Sequence, residues 1–209
     1  MKRLILQMQM SVDGFVSGAD PGLDWTLWDW GPHCPWDEAL KRRFNETLAQ
    51  VDTILLSGPM ANDYISHWTQ MAKQRAGDPD YAFTERVVAA QKRVISQSLH
   101  AIHQPRTSIG RGSLHDEVTG LKQQPGGDIV CFGGVSFGAG LLEANVVDEL
   151  QFYVNPYAVR SGRSIFRQPR PLQCIDATAY PCGIVVQRYR PASWQPHDRT
   201  ALTRQEPLA

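Results

Sequence analysis

The chain is expected to fold as an α/β sandwich, a single domain with a mostly parallel sheet and antiparallel strands late in the sequence. Three observations predict it. Short apolar runs (LILQMQM, VDTILL, DIVCF) recur along the chain, and segments with apolar residues three and four apart lie between them. Glycine-containing steps join several of these runs to the helical segment that follows. Strands alternating with helices in this way build layered sheets covered on both faces. At 209 residues the chain suits one domain with a substantial core. We expect that domain to span residues 1–191, followed by a polar, proline-bearing, mobile tail over 192–209.

Lys2 to Met10 is alternating and apolar enough for a central strand, ended by the turn Ser11-Val12-Asp13-Gly14-Phe15. Ser17 to Trp36 reads as loop, rich in Gly and Pro yet holding Trp25, Trp28, Trp30 and Trp36. So many tryptophans in a loop must pack down as a lid, line a cleft or meet a second subunit. Leu40, Phe44 and Leu48 carry helical spacing between Trp36 and Gln50. A strand over Val51–Leu56 stops at Ser57-Gly58-Pro59, and Pro59 suits the first turn of a helix reaching Trp68. Asp80 to Ala90 reads as helix, Arg93 to Ser96 as a short strand, and Ser113 as the N-cap of a helix running to Gln123. Val147–Val154 and Gly183–Tyr189 read as antiparallel neighbours.

The most informative stretch is LKQQPGGDIVCFGGVSFGAGLL, residues 121–142. It runs from a helix end through a turn to a buried strand (Asp128–Phe132), a glycine elbow (Gly133-Gly134) and a new helix with Ser136 in its first turn. Such an elbow points backbone N–H groups at an anion, and the helix dipole adds to the attraction. With no Cβ on either glycine, a phosphate could come close to the backbone. A plain structural turn is the competing reading.

Charges balance at 21 Lys+Arg against 21 Asp+Glu, which argues against broad affinity for nucleic acid or anionic membrane. No apolar stretch approaches the length of a membrane span. Cys34, Cys131, Cys174 and Cys182 form no C-x-x-C pair, so reduced thiols in the cytoplasm are expected, with a Cys174–Cys182 bridge the less favoured option. His100-x-x-His103, His33-Cys34 and His115 lack the carboxylate or thiol partners of a metal centre, and no metal is expected. No Gly-x-Ser-x-Gly elbow is present, which argues against a serine hydrolase. Asp148-Glu149 is expected to serve turn and dimer-surface roles, and Arg160, Arg163, Arg167 and Arg170 to form a solvated or subunit-facing loop rather than an anion site.

Taken in order, SVDGF (11–15), VDTILLSG (51–58), RVISQSL (93–99), LKQQPGGDIVCFGG (121–134), VVDELQFYVNP (146–156) and SGRSIF (161–166) resemble the dihydrofolate reductase-like family. The likeness is greatest to the branch related to the reductase domain of bacterial riboflavin biosynthesis, and it covers about Met1 to Pro191. The resemblance implies a twisted mixed sheet flanked by helices, a small-molecule substrate, NADPH or NADH lying across the carboxyl ends of the strands, and a homodimer.

Carried over position by position, the family's Gly-rich loop falls on Gly133, Gly134, Val135, Ser136 and Phe137, whose amides would hold the cofactor diphosphate. Val12, Asp13 and Gly14 fall where nicotinamide and substrate would meet. Asp13 could bind substrate, orient a water or, if burial raised its pKa, donate a proton; equally it could cap its own turn. Ser57, Gly58, Ser96 and Gln97 fall on cofactor-binding positions, but two departures bear on the 2′-phosphate. Relatives commonly carry Gly-Arg-x-Thr after the second strand, where this chain has Ser57-Gly58-Pro59-Met60, and Gln97 stands where a cationic or hydroxyl residue is common. Arg93 and Arg111 are the nearby cations that could compensate. Each lost charge-assisted contact is worth roughly 1.5–3 kcal/mol, so NADPH should be poorly favoured over NADH.

On the substrate side, Phe132 replaces the glutamate that the riboflavin-pathway reductases place before the Gly-rich loop. Phe132 with Trp25 and its neighbours suggests a flat aromatic ligand held between rings. Two functions follow: a nicotinamide-dependent reductase of a small pterin- or pyrimidine-like heteroaromatic, or a non-catalytic small-molecule binder that kept the fold without the phosphate grip.

Overall fold

The computed structural model describes residues 1–20, 22–27 and 35–192. Among the described residues there are ten strands: β1 (Leu4–Ser11), β2 (Ser17–Gly18), β3 (Val51–Ser57), β4 (Gln91–Ile95), β5 (Thr107–Gly110), β6 (Asp128–Cys131), β7 (Glu149–Asn155), β8 (Gly162–Arg163), β9 (Leu172–Ala179) and β10 (Val185–Pro191). Five α-helices join them: α1 (Glu38–Ala49), α2 (Gly58–Gln74), α3 (Phe83–Ala89), α4 (Leu114–Lys122) and α5 (Val135–Glu143).

Eight strands form one sheet in the order β5-β4-β3-β6-β1-β7-β10-β9. β5 through β7 are parallel, and β10 returns antiparallel between β7 and β9. The parallel strands carry apolar residues on both faces because helices cover both. Along β1, Ile5 packs toward α1, α2 and α3, while Leu4, Leu6 and Met10 pack toward α4 and α5. Phe44 anchors the first layer, edge-on to Trp36, Phe83 and Tyr153. Truncating such a buried ring costs about 3–5 kcal/mol.

Local signals explain the helix boundaries. Asp37 caps α1 by accepting from the N–H groups of Ala39 and Leu40, and Ser113 caps α4 by accepting from Asp116 N–H. α2 opens on Gly58-Pro59, and its side chains keep it helical to Gln74, beyond the expected end at Trp68. The expected helix over 80–90 is split into a 3₁₀ turn at Pro79–Tyr81 and α3.

Several expectations need correcting. β2, β5, β8 and β9 were not legible as strands. β2 and β8 are two residues long, and β9 is a largely exposed edge whose side chains show little apolar alternation. Glu149 is not on a dimer-facing surface: it is 3% exposed and receives Arg188 Nε at 2.6 Å. Asp148 does serve the turn, accepting Leu4 N–H at 2.7 Å and pairing with Lys122 at 2.5 Å. Cys131, Cys174 and Cys182 are free thiols, so no 174–182 bridge forms. Trp28, Trp30, His33 and Cys34 lie outside the described residues, as does the expected tail from residue 193 on.

Candidate active site

The carboxyl ends of four adjacent parallel strands, β4, β3, β6 and β1, gather most of the residues singled out in the sequence. Ser96 and Gln97 follow β4, Ser57 and Gly58 close β3, Gly133 to Phe137 follow β6, and Val12 to Gly14 follow β1. In a parallel sheet this edge is where connecting loops leave room for a ligand.

The elbow after β6 has the geometry an anion needs. Gly134 adopts φ 77° and ψ 103°, a conformation that side chains disfavour, and no side chain caps α5. Gly138 N–H closes the first turn on Gly134 O at 2.8 Å, which leaves the amides of Val135, Ser136 and Phe137 as the opening donors. A Cβ on Gly134 would lie 3.2 Å from Met60 Sδ and 3.6 Å from Ser57 Oγ, so the β3 and β6 ends close tightly on one another. Gly58 is equally constrained, since a Cβ there would stand 2.6 Å from Ser96 Oγ.

A cation missed in the sequence stands at this helix start. Arg163 of β8 donates from Nη2 to Ser136 Oγ at 2.5 Å. Its companions disperse: Arg167 pairs with Glu143, and Arg170 holds Asn145 and Leu142 O. What joins Arg163 to the elbow is the β2–β8 pairing, where any Cβ at Gly162 would fall 2.0 Å from Ser17 O. Such a two-residue pairing leaves no periodic signal.

At the position expected for the 2′-phosphate, the two candidate cations part company. Arg93 turns to Glu117 at 2.5 Å, away from the carboxyl edge. Arg111 lies beside Gln97, receives Gln97 Nε2 on its carbonyl, and donates to the carbonyls of Gln97, Leu99 and His100. Ser96 Oγ accepts Leu99 N–H at 3.0 Å. The loop is therefore stitched to itself, and Arg111 is already engaged with backbone oxygens.

Asp13 does not fit a proton donor. Its carboxyl is held below the usual range by Ser11 Oγ at 2.6 Å, then by the N–H groups of Arg160 and Val159 at 2.7 and 3.2 Å. It is solvent-exposed, so the burial needed to keep it protonated is absent. The carboxylate ties the β1 turn to the 159–160 loop, a clamp rather than an acid. Val12 is 60% exposed and donates to Tyr157 O, and Gly14 takes φ 87° in the turn.

Beside the elbow, on the α1–α3 side of the sheet, lies a cavity of about 360 Å³, within the range of small-molecule sites. Phe132 is on its wall, stacked on Tyr64 with centroids 6.3 Å apart and tilted against Phe44 at 6.2 Å. Met60, His67, Trp68 and Thr26 also line it. Trp25 does not: it is 7% exposed and packs near Gly18, so its expected place against a ligand is corrected. Trp36 is likewise core, stacked on Tyr153 at 5.2 Å.

The floor of the cavity is polar. Gln7 and Gln9 face it from β1, and neither was singled out in the sequence, although two glutamines at i and i+2 in an otherwise apolar strand were the available signal. Gln7 is 4% exposed and donates from Nε2 to Gln151 Oε1 at 2.9 Å and Tyr153 Oη at 3.3 Å. Gln151 Nε2 in turn donates to Glu149 Oε1 at 2.8 Å. Burial alone would raise the Glu149 carboxyl, but Arg188, Gln151 and Arg3 hold it below its usual value. Gln9 Oε1 accepts from Asn155 Nδ2 at 2.8 Å. Among the described residues no group of three or more His, Cys, Asp or Glu side chains comes together to hold a metal, and no helix is long and apolar enough to cross a membrane.

The sheet order, the Gly-Gly elbow and the cavity at the carboxyl edge define a dihydrofolate reductase-like α/β protein. The RibD C-terminal domain model matches residues 2–186, and the chain belongs to that family. The uncharacterized protein YyaP of Bacillus subtilis (strain 168) is 27% identical over 188 residues, covering 88% of this chain and 92% of that protein. A putative riboflavin biosynthesis protein from Shewanella sp. PV-4 shares the fold with a TM-score of 0.62 at 16% identity, over 91% of this chain and 99% of that one. A pyrimidine reductase-like protein from Corynebacterium diphtheriae gives 0.58 at 12% identity, over 92% of each chain. The bifunctional diaminohydroxyphosphoribosylaminopyrimidine deaminase/5-amino-6-(5-phosphoribosylamino)uracil reductase of Thermotoga maritima gives 0.62 at 13% identity, over 91% of this chain and 57% of that longer one.

Proposed function

We propose that the protein is a nicotinamide-dependent reductase of a small heteroaromatic compound. The observation that carries this reading is one juxtaposition: the uncapped α5 amides behind Gly133-Gly134 stand next to an aromatic-walled cavity at the same sheet edge. The residues suit a dinucleotide. Val135, Ser136 and Phe137 amides would hold the diphosphate, with Arg163 adding a charge. Val12, Gly14, Ser57, Gly58, Ser96 and Gln97 would line its course along the edge. When bound, the dinucleotide supplies a hydride. The protein's part is to seat the acceptor ring against the aromatic wall formed by Phe132, Tyr64 and Phe44 and to shield it from water.

The proton that accompanies the hydride must come from elsewhere than Asp13. Of the titratable groups on the cavity wall, the Tyr64 hydroxyl is pushed far up by burial. His67, exposed on α2 at the cavity, is left as the side chain or water-orienting group suited to deliver it. With the arginine and threonine of relatives replaced by Gly58-Pro59-Met60, NADH should serve as well as NADPH or better. We further propose a cytoplasmic homodimer, since the free thiols fit a reducing compartment.

One observation favours a non-catalytic binder: the carboxylate nearest the expected reaction centre is an ionised clamp. Gly134→Asp separates the cases for the elbow. A carboxylate at the phosphate position should abolish NADH binding; undiminished affinity would remove the elbow from the site.

A further inference from the structure

Gln7 and Gln9 have fixed and opposite hydrogen-bonding faces, and the cause lies outside the cavity. Glu149 is ionised and can only accept, so Gln151 must turn its NH₂ toward it. That leaves Gln151 Oε1 to accept from Gln7, whose two N–H bonds are then both spent, on Gln151 and on Tyr153 Oη. The free group of Gln7 at the cavity is its carbonyl oxygen. An amide orientation is ordinarily a matter of assignment, but here a carboxylate at the root of the chain dictates it. Gln9 is set the other way. Asn155 Oδ1 accepts Leu27 N–H and its Nδ2 donates to Tyr153 O and to Gln9 Oε1, which leaves the Gln9 NH₂ for the cavity.

We infer that the cavity selects an uncharged, flat ring carrying a cyclic amide, with its N–H received by Gln7 and its C=O by Gln9. The two residues stand two apart on one face of β1 and line the same cavity, so their side-chain ends can converge on the adjacent N–H and C=O of one amide. Phe132 and Tyr64 supply the stacking wall. Among the described residues on the cavity wall there is no lysine or arginine, so a phosphorylated ligand would bury its charge unpaired. The inference deepens the reading of this cavity as the substrate site and rests on it, but the binding it describes needs no dinucleotide. Gln7 and Gln9 are specificity-determining residues, and Glu149 and Gln151 position Gln7.

The test is equilibrium binding to the full chain, with no nicotinamide present, followed by tryptophan fluorescence. The probes are lumazine, 1,3-dimethyllumazine and uridine 5′-monophosphate. Lumazine should bind, dimethylation should weaken it roughly tenfold, one hydrogen bond's worth, and the nucleotide should bind weakest. Glu149→Gln frees the Gln151–Gln7 pair to flip and should erase most of the lumazine preference. Gln9→Leu, at a less buried position, should weaken lumazine by a similar roughly tenfold factor and covers the case in which the Glu149 variant fails to fold. Equal affinity for the two lumazines, tighter binding of the nucleotide, or no binding of any probe would overturn the inference. Selective lumazine binding without any NADH binding would instead sink the reductase and leave the inference standing.

Discussion

Arg163 Nη2 rests 2.5 Å from Ser136 Oγ, so a guanidinium from the small second sheet sits at the first turn of α5. The pairing puts a fixed positive charge where the helix already presents free amides. Arg163→Gln should weaken dinucleotide binding by about tenfold, the low end for a charge-assisted hydrogen bond, and should flatten the salt dependence of affinity. Unchanged titration curves for the variant would show that the guanidinium serves only to brace Ser136.

Asp13 joins the β1 turn to the N–H groups of Val159 and Arg160, and this clamp fixes its protonation state. Because its folded pKa is depressed, its stabilising effect is present above the unfolded value of 3.8 and is lost as pH falls below it. Asp13→Asn should therefore leave the pH dependence of turnover unchanged near neutrality while loosening the 159–160 loop. His67→Gln should lower turnover by roughly a hundredfold, as loss of a general acid does. Turnover lost in Asp13→Asn and kept in His67→Gln would reverse the assignment.

Glu149 is enclosed by Arg188, Arg3 and Gln151 beneath the cavity floor. Glu149→Ala removes the shared partner of Arg188 and the half-exposed Arg3, both of which can still reach water, and should cost about 1.5–3 kcal/mol in urea unfolding, the worth of a hydrogen bond to a charged group. Its carboxyl is also held below 4.5, so wild-type stability should persist above that pH and fall as acid protonates it. A variant within 1 kcal/mol of wild type, on the scale of an exposed pair, would contradict this account.

Much of this architecture was legible because it is periodic. Leu40, Phe44 and Leu48 mark α1, and Ser113 marks the start of α4 through its own capping hydrogen bond, whereas the Asp37 cap of α1 emerged only in the structure. The elbow at Gly133-Gly134 was legible because a strand must turn sharply into a helix there. Features made by distant pairing were not. Arg163 reaches Ser136 only through two residues of β2–β8 contact, and Asp13 meets its partners 146 and 147 residues away. Trp25 and Trp36 belonged to the core, because a large ring in a loop says that area is buried without saying against what. Gln7 and Gln9 did carry a signal, two amides on one face of a buried strand, whose meaning depended on Glu149 across the sheet.

The most direct check of the central claim, a dinucleotide held by the α5 amides at the carboxyl edge, is a tryptophan-fluorescence titration of the intact protein with NADH and with NADPH. The account predicts saturable NADH binding at least as tight as NADPH, since the 2′-phosphate has lost its usual arginine and Arg111 is engaged with backbone carbonyls. No saturation by either nucleotide at millimolar concentration, or NADPH favoured a hundredfold, would contradict it.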